Sequence, residues 1–347
     1  MARISIPWKT YLHYKKNMND SDRAIYQAML DGLLEWKKTI PLPNITTDID
    51  HIYDIYTMLL RDIPMLFHIS NSLNITAGPN ICYAVPEYIM DERTYRRRFQ
   101  EVVDFLQNCK GLLSRHGTFN QLQIIHDSVV KHVVYHDTQT SNEHNILGTI
   151  LDRKAVCESI AKSYKLLCDY NGIPCIVVFG YSDANNQSVR RDGFSVSSTQ
   201  PEDNHAWNRV KLDGSWYNVD LTFDVTLGDF DDKTVFRYDY FLRSDAVFNR
   251  EHHPSQGKYL PACPADFNLY RKIDQYVQNL HEAEAVTRSI LKSKRNVQAV
   301  VFAVDPHCGL TDDRIASAVG TTCILHRRMP SVYTYNDTSQ VFCMLLE

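Results

Sequence analysis

The stretch RKAVCESIAKSYKLLCDYNGIPCIVVFGY, Arg153 to Tyr181, decides how this chain folds. Cys157, Ile160, Ala161, Tyr164 and Cys168 recur at the spacing of one face of an amphipathic helix. Asn171-Gly172 closes that helix and Pro174 follows, a combination that cannot continue it. Cys157 is therefore expected in the first turn, on the face that points inward. A helix N-terminus favours negative charge, and thiols held there ionise more readily than thiols in mid-helix. The apolar run Cys175 to Tyr181 then reads as a buried strand.

A second stretch, NHAWNRVKLDGSWYNVDLTF from Asn204 to Phe223, reads as a hairpin. Val210-Lys211-Leu212 and Ser215-Trp216-Tyr217 flank Asp213-Gly214, a strong signal for a two-residue turn. With Leu212 opposite Ser215, the strands extend until His205 faces Thr222. Asp220 and Asp224 are then both diagonal neighbours of His205 on one sheet face. The strand pattern fades after Phe223, which favours Asp220. Ala206, Val210, Leu212, Tyr217, Val219 and Leu221 take the other face and form core, so a one-residue slip would lose both arrangements.

Cysteine, histidine and carboxylate in this order suggest a thiol nucleophile, its base and the group that orients the base. His205 would take the proton from Cys157, and the thiolate would attack an amide or thioester carbonyl. His205 would then protonate the leaving group, with Asp220 holding the productive tautomer. Water as the second substrate gives hydrolysis and an amine gives transfer; the residues alone do not separate the two. The Cys157 backbone N–H is a candidate oxyanion donor. For the second donor, Asn145 and Trp207 are both open.

The sequence around Cys157, the string His205-Ala206-Trp207-Asn208 and the string Trp216-Tyr217-Asn218-Val219-Asp220 resemble the transglutaminase-like superfamily, and most of all its bacterial branch. The resemblance extends to Gly172-Ile173-Pro174-Cys175, Tyr238-Asp239-Tyr240-Phe241 and Leu260-Pro261-Ala262-Cys263, and it runs from about Gln121 to Pro264. It implies an α+β fold with a papain/transglutaminase-like core, in which the cysteine helix packs on an antiparallel sheet bearing the histidine and the aspartate. It likewise implies Cys157 as nucleophile, His205 as base and Asp220 as orienter. Two positions depart from the family: Ser159 stands where a glycine is common, and Phe223 where a tryptophan is common. A cysteine enzyme acting on a peptide or protein acyl donor is the leading expectation. A scaffold that keeps the fold only to bind a protein partner is the alternative.

Composition narrows the rest. The 347 residues carry a formal charge of −4 with 44% apolar residues, ordinary for a globular protein. Neither nucleic acid nor an anionic membrane has an electrostatic case. Nine cysteines, an odd number without regular spacing, read as thiols of a reducing compartment. No stretch reads as a signal peptide or membrane span, so the expectation is cytoplasmic. No cofactor is implied. His132 and His136 have metal-ligand spacing, but no glutamate or CxxC completes a site, so no metal is expected either.

Outside the core, residues 1–115 read as a mainly helical block. Helices are expected at Ser21–Lys38, Asp48–Leu60 and Asp91–Cys109, with two strands at Phe67–Ala77 and Ile81–Val85. Residues 116–264 form the expected catalytic core, opened by a helix from Phe119 to Tyr135. Ser182 to Asp203 is a long polar loop, expected as a lid or wall beside His205. His252-His253-Pro254 reads as a structural or exposed connector. Residues 265–347 read as a small α/β appendage: helices Leu269–Leu280 and Glu282–Lys292, strand Val297–Val304, helix Asp312–Val319, and strands near Val332 and Val341.

Overall fold

The computed structural model describes residues 4–43, 48–78, 81–137, 141–183, 204–230, 233–255, 257–293 and 296–347. It has mixed α+β architecture with several antiparallel sheets. The chain divides into two units. The first comprises residues 1–180, 203–214 and 254–261, and the second 181–202, 215–253 and 262–347.

The first unit opens with helices α1 (His13–Asn17) and α2 (Asp20–Leu34), the short strand β1 (Ile40–Pro41) and helix α3 (Ile49–Asp62). Asn19 and Asp48 cap α2 and α3 by accepting the N–H groups of Asp22 and His51, satisfying donors that a helix start leaves unpaired. Strands β2 (Ile69–Gly78) and β3 (Ile81–Tyr88) form an antiparallel hairpin that β1 joins at the β3 edge. Helices α4 (Glu92–Leu113) and α5 (Thr118–His132) follow. The expected helix to Tyr135 stops at His132. Val133 turns extended, and Val134-Tyr135 form β4, parallel to β5 (Lys154–Ala155).

Helix α6 (Cys157–Tyr170) begins directly after β5. Gly172, at φ +73°, supplies the left-handed residue that ends it. Strands β6 (Cys175–Ser182) and β7 (His205–Leu212) pair antiparallel, with Val177 opposite Asn208 and Gly180 opposite His205. The N-terminal segment is fastened to this core through α6 and β6. The Tyr14 hydroxyl donates to the Val177 carbonyl at 2.8 Å. The fully buried Lys165 donates to the Tyr11 carbonyl at 3.0 Å and to both oxygens of Asp169. Asp213 and Gly214 follow β7 with φ of +48° and +86°, the pair of positive values that a type I′ turn requires.

The second unit starts with β8 (Ser215–Val219), α7 (Leu221–Gly228), the small hairpin of β9 (Asp229–Phe230) and β10 (Lys233–Thr234), α8 (Asp245–Phe248) and β11 (His252–Pro254). The expected strand through Phe223 is not formed. The chain leaves β8 at Val219, and Asp220 caps α7 by accepting the Phe223 N–H at 3.2 Å. Thr222 is helical, so the expected pairing of His205 with Thr222 fails at its second partner. A short apolar run such as Leu221 to Val225 carries no decisive periodicity, and the cap settles it.

The C-terminal part holds α9 (Leu269–Lys272), β12 (Tyr276–Val277), α10 (Leu280–Ser293), β13 (Ala299–Val304), α11 (Asp312–Leu325), β14 (Pro330–Asn336) and β15 (Val341–Leu346). The strand order is β12-β13-β15-β14. Val300, Phe302, Phe342 and Met344 point to one face, where Ala283, Ile315 and Val319 of α10 and α11 cover them. Val301, Ala303, Cys343 and Leu345 point to the other face, against Val235 and Tyr270. The single helix expected from Leu269 to Leu280 is broken at Asp274, whose φ is +55°. The intervening residues instead supply β12.

Candidate active site

Cys157 is the first residue of α6, with Val156 as its extended N-cap. β5 and the preceding turns hold that entry in place, because the Val156 N–H donates to the Glu143 carbonyl at 3.2 Å. The thiol is half-buried and packs with Phe179 against Ala161, Val177 and Ala206. It thus lies over the β6–β7 pair beside Ala206, the residue that adjoins His205. Asn208 reinforces the packing from β7, its Nδ2 donating to the Ala161 carbonyl at 2.9 Å and the Ile176 carbonyl at 3.3 Å. His205 is the first residue of β7, 6% exposed, and its ring stacks on Trp207 with centroids 6.0 Å apart.

The residues just after Cys157 form a charged cluster that the sequence reading did not single out. Glu158 accepts the Asn71 Nδ2 at 3.0 Å on each oxygen and the Lys162 ammonium at 2.6 Å. His144 Nδ1 lies 3.4 Å from its other oxygen. Burial opposes ionisation of Glu158, but Lys162 and His144 outweigh it and hold the carboxyl at about 2. The same contact with Glu158 raises His144 above its ordinary value. The first turn of α6 therefore carries its negative charge fully compensated.

Ser159, where the family commonly has glycine, is fully buried. Its hydroxyl accepts the Thr149 N–H at 3.1 Å and donates to the Asn145 carbonyl. This fastens the π-helical turn Gly148–Asp152 to α6. Of the two open oxyanion donors, Asn145 is buried with its Oδ1 accepting the Leu147 N–H at 2.9 Å, and Trp207 is 2% exposed. His132 contacts the Ile150 carbonyl at 3.1 Å and His136 the Glu143 carboxylate at 3.1 Å.

In the second unit, Asp220 is fully buried. One carboxylate oxygen takes the Phe223 N–H, and the other lies 3.0 Å from Nε2 of His252. Asp224, the other candidate orienter, is equally buried inside α7 and accepts the Tyr240 N–H at 3.1 Å. His252 itself is 1% exposed, which corrects its reading as structural or exposed connector on the second count. His253, next to it on β11, is exposed. Alternation along a strand sends neighbours to opposite sides, and a His-His-Pro string does not say which one turns inward. The polar stretch expected as a lid, Ser182 to Asp203, lies outside the described residues apart from its first two positions.

Each of the nine cysteines is a free thiol, and only Cys109, Cys157 and Cys308 are less than buried. Among the described residues no helix is long and apolar enough to cross a membrane.

Residues 88–221 match the transglutaminase-like superfamily. Human kyphoscoliosis peptidase is 30% identical over 166 residues, covering 44% of this chain and 23% of its own length. The mouse protein of the same name is 27% identical over 208 residues, covering 54% of this chain and 29% of its own. The chain thus spans about a quarter of the length of the curated relatives it matches. A TGase of known structure aligns with a TM-score of 0.30 and 11% identity over 49% of this chain and 48% of that one. Cys157 at a helix start, His205 at a strand start and Asp220 just after the next strand all fall inside the matched residues, and the chain carries a transglutaminase-like superfamily domain and is a distant homologue of the kyphoscoliosis peptidases.

Proposed function

We propose that this chain is a cysteine-dependent enzyme that acts on amide or thioester carbonyls of a peptide or protein through an acyl-enzyme on Cys157. The observation that carries the reading is the half-buried thiol at the N-terminus of a helix of 14 residues, packed on the strand pair that begins with His205. The positive end of the helix dipole lies at this site, and first-turn amides can receive the oxyanion that forms when the sulfur attacks. His205 is proposed as the base that accepts the Cys157 proton and returns it to the leaving group. Asp220 is proposed as the group that orients the imidazole. Water then gives a peptidase or amidase, and an amine gives crosslinking or transfer. The superfamily match and the peptidase relatives support the cysteine chemistry.

The test is acylation of the whole chain by a peptide library with and without an added amine, read by mass spectrometry. An acyl adduct on Cys157 that is lost in Cys157→Ala and His205→Ala supports the proposal. Turnover or partner binding unchanged in both variants overturns it in favour of the scaffold. Iodoacetamide at mildly acidic pH gives an independent reading: Cys157 should be labelled ahead of Cys109, whose thiol burial pushes up.

A further inference from the structure

We infer that His252 is a positioning residue for this chemistry, acting on the reaction through Asp220. The inference rests on the proposed triad and extends it by a fourth side chain. Both oxygens of the Asp220 carboxylate are engaged within the second unit, one by the Phe223 N–H and one by His252 Nε2. A carboxylate only accepts, so Nε2 carries the proton and donates. Two donors on two oxygens fix the rotation of the carboxylate and stabilise its charge. That is what an orienting group needs, since a turned or protonated carboxyl cannot hold a partner imidazole in one tautomer.

The histidine is itself held in place, which distinguishes a built arrangement from a passing contact. Its ring sits among Phe223, Tyr240 and Phe248, with centroids at 5.1, 5.7 and 4.5 Å. On its far side Nδ1 faces the Glu251 carboxylate at 3.9 Å. Glu251 is fixed in turn by the Tyr240 hydroxyl and by the Thr338 hydroxyl at 3.0 Å. Among the described residues of the second unit, the charged and titratable groups facing the ring include Asp220, Glu251 and the Tyr240 phenol. A residue needed only to fill space between three aromatic rings would be served by phenylalanine, whereas the aim of Nε2 at Asp220 requires a donor.

The experiment compares wild type with His252→Gln, His252→Phe, Asp220→Ala and the Asp220→Ala/His252→Phe double variant. Each whole chain is followed by the pH dependence of Cys157 alkylation by iodoacetamide and by thermal melting. His252→Gln keeps an N–H donor near the Nε2 position, and His252→Phe keeps an aromatic ring without one. The expected result is that His252→Phe slows Cys157 alkylation at about pH 6 roughly tenfold and displaces the profile in the same direction as Asp220→Ala, the scale of one lost charged hydrogen bond. His252→Gln should stay close to wild type, and the double variant should be no worse than Asp220→Ala alone. A His252→Phe profile that coincides with wild type while Asp220→Ala shifts overturns the inference and leaves the triad standing. Equal impairment of the Gln and Phe variants, or additive losses in the double variant, overturns it too. An unshifted Asp220→Ala profile overturns the triad reading itself, and the inference with it.

Discussion

Glu158 and Lys162, one turn apart on α6, share a buried ion pair at 2.6 Å directly behind the candidate nucleophile. Their pairing makes the stability of this region depend on pH, with a sign set by the charges of Lys162 and His144. Glu158 is held at about 2 against an ordinary 4.5, burial opposing the shift and Lys162 and His144 driving it. A depressed carboxyl contributes its stability in full above its unfolded value and loses it as the pH falls through its folded one. The contribution is therefore present above about pH 4.5 and fades toward pH 2. Glu158→Gln should cost about 3 kcal/mol near neutrality, because it leaves the buried Lys162 charge uncompensated. It should also flatten the fall of melting temperature with pH below 4.5, and a variant falling as steeply as wild type would contradict this account.

His144, at the other oxygen of Glu158, titrates in the opposite sense. Its value is raised, chiefly by the hydrogen bond to Glu158, so its stabilising contribution is complete below the unfolded value and is lost as the pH rises through the folded one. The side chain is about half exposed, and solvent screening keeps the effect small. His144→Ala should lower stability by a few tenths of a kcal/mol at pH 6 and by less at pH 9, since exposed pairs contribute little. Paired urea titrations at the two pH values measure the difference, and an equal loss at both would rule out the ion pair as its source.

Ser159 makes the family departure testable. Its hydroxyl is bonded on both sides inside the core, to the Thr149 N–H and the Asn145 carbonyl. Ser159→Ala takes the acceptor from the buried Thr149 N–H, while the Asn145 carbonyl keeps the Gly148 N–H at 3.2 Å; an unsatisfied buried group costs roughly 1–3 kcal/mol. The loss should be local first. Hydrogen exchange at the Thr149 amide should accelerate before global unfolding does, and unchanged protection there would show that the hydroxyl is dispensable.

How much of this was legible beforehand varies with how local the cause is. The Cys157 helix could be read to its last residues, because its apolar spacing, Gly172 and Pro174 are all local signals. The Asp213-Gly214 turn was legible because few residue pairs tolerate two positive φ values. The end of the hairpin was not, since Leu221 to Val225 fits a strand or a helix equally and only the Asp220 cap decides. The placement of His252 depends on strand parity over three residues and on aromatic partners as far away as Phe223, which no local pattern encodes. The Glu158 cluster was missed for a similar reason: Asn71 lies 87 positions away in sequence. Even so, Glu158-x-x-x-Lys162 has the spacing of a helical ion pair and could have been noticed.

Arg237 in the second unit gives the clearest prediction on stability away from the site. Its guanidinium is fully buried and donates twice to Asp239, at 2.8 and 2.7 Å. Asp239 also receives the Asn336 amide at 3.1 Å and the Ser339 hydroxyl at 3.0 Å, tying the segment after β10 to the β14–β15 turn. Removing one member of a buried pair leaves the other charge unpaired, at a cost of about 3–5 kcal/mol. Arg237→Met should therefore destabilise the second unit by that amount in urea titration. Arg237→Lys should recover only part of the loss, since an ammonium lacks the planar fork that meets both carboxylate oxygens. Arg237→Met/Asp239→Leu should be less harmful than Arg237→Met alone, because no lone charge remains, although the Ser339 hydroxyl loses its Asp239 acceptor and the Asn336 amide keeps only the Tyr240 hydroxyl. A double variant that is worse than the single one would show that those two donors, rather than the guanidinium, dominate the Asp239 contribution.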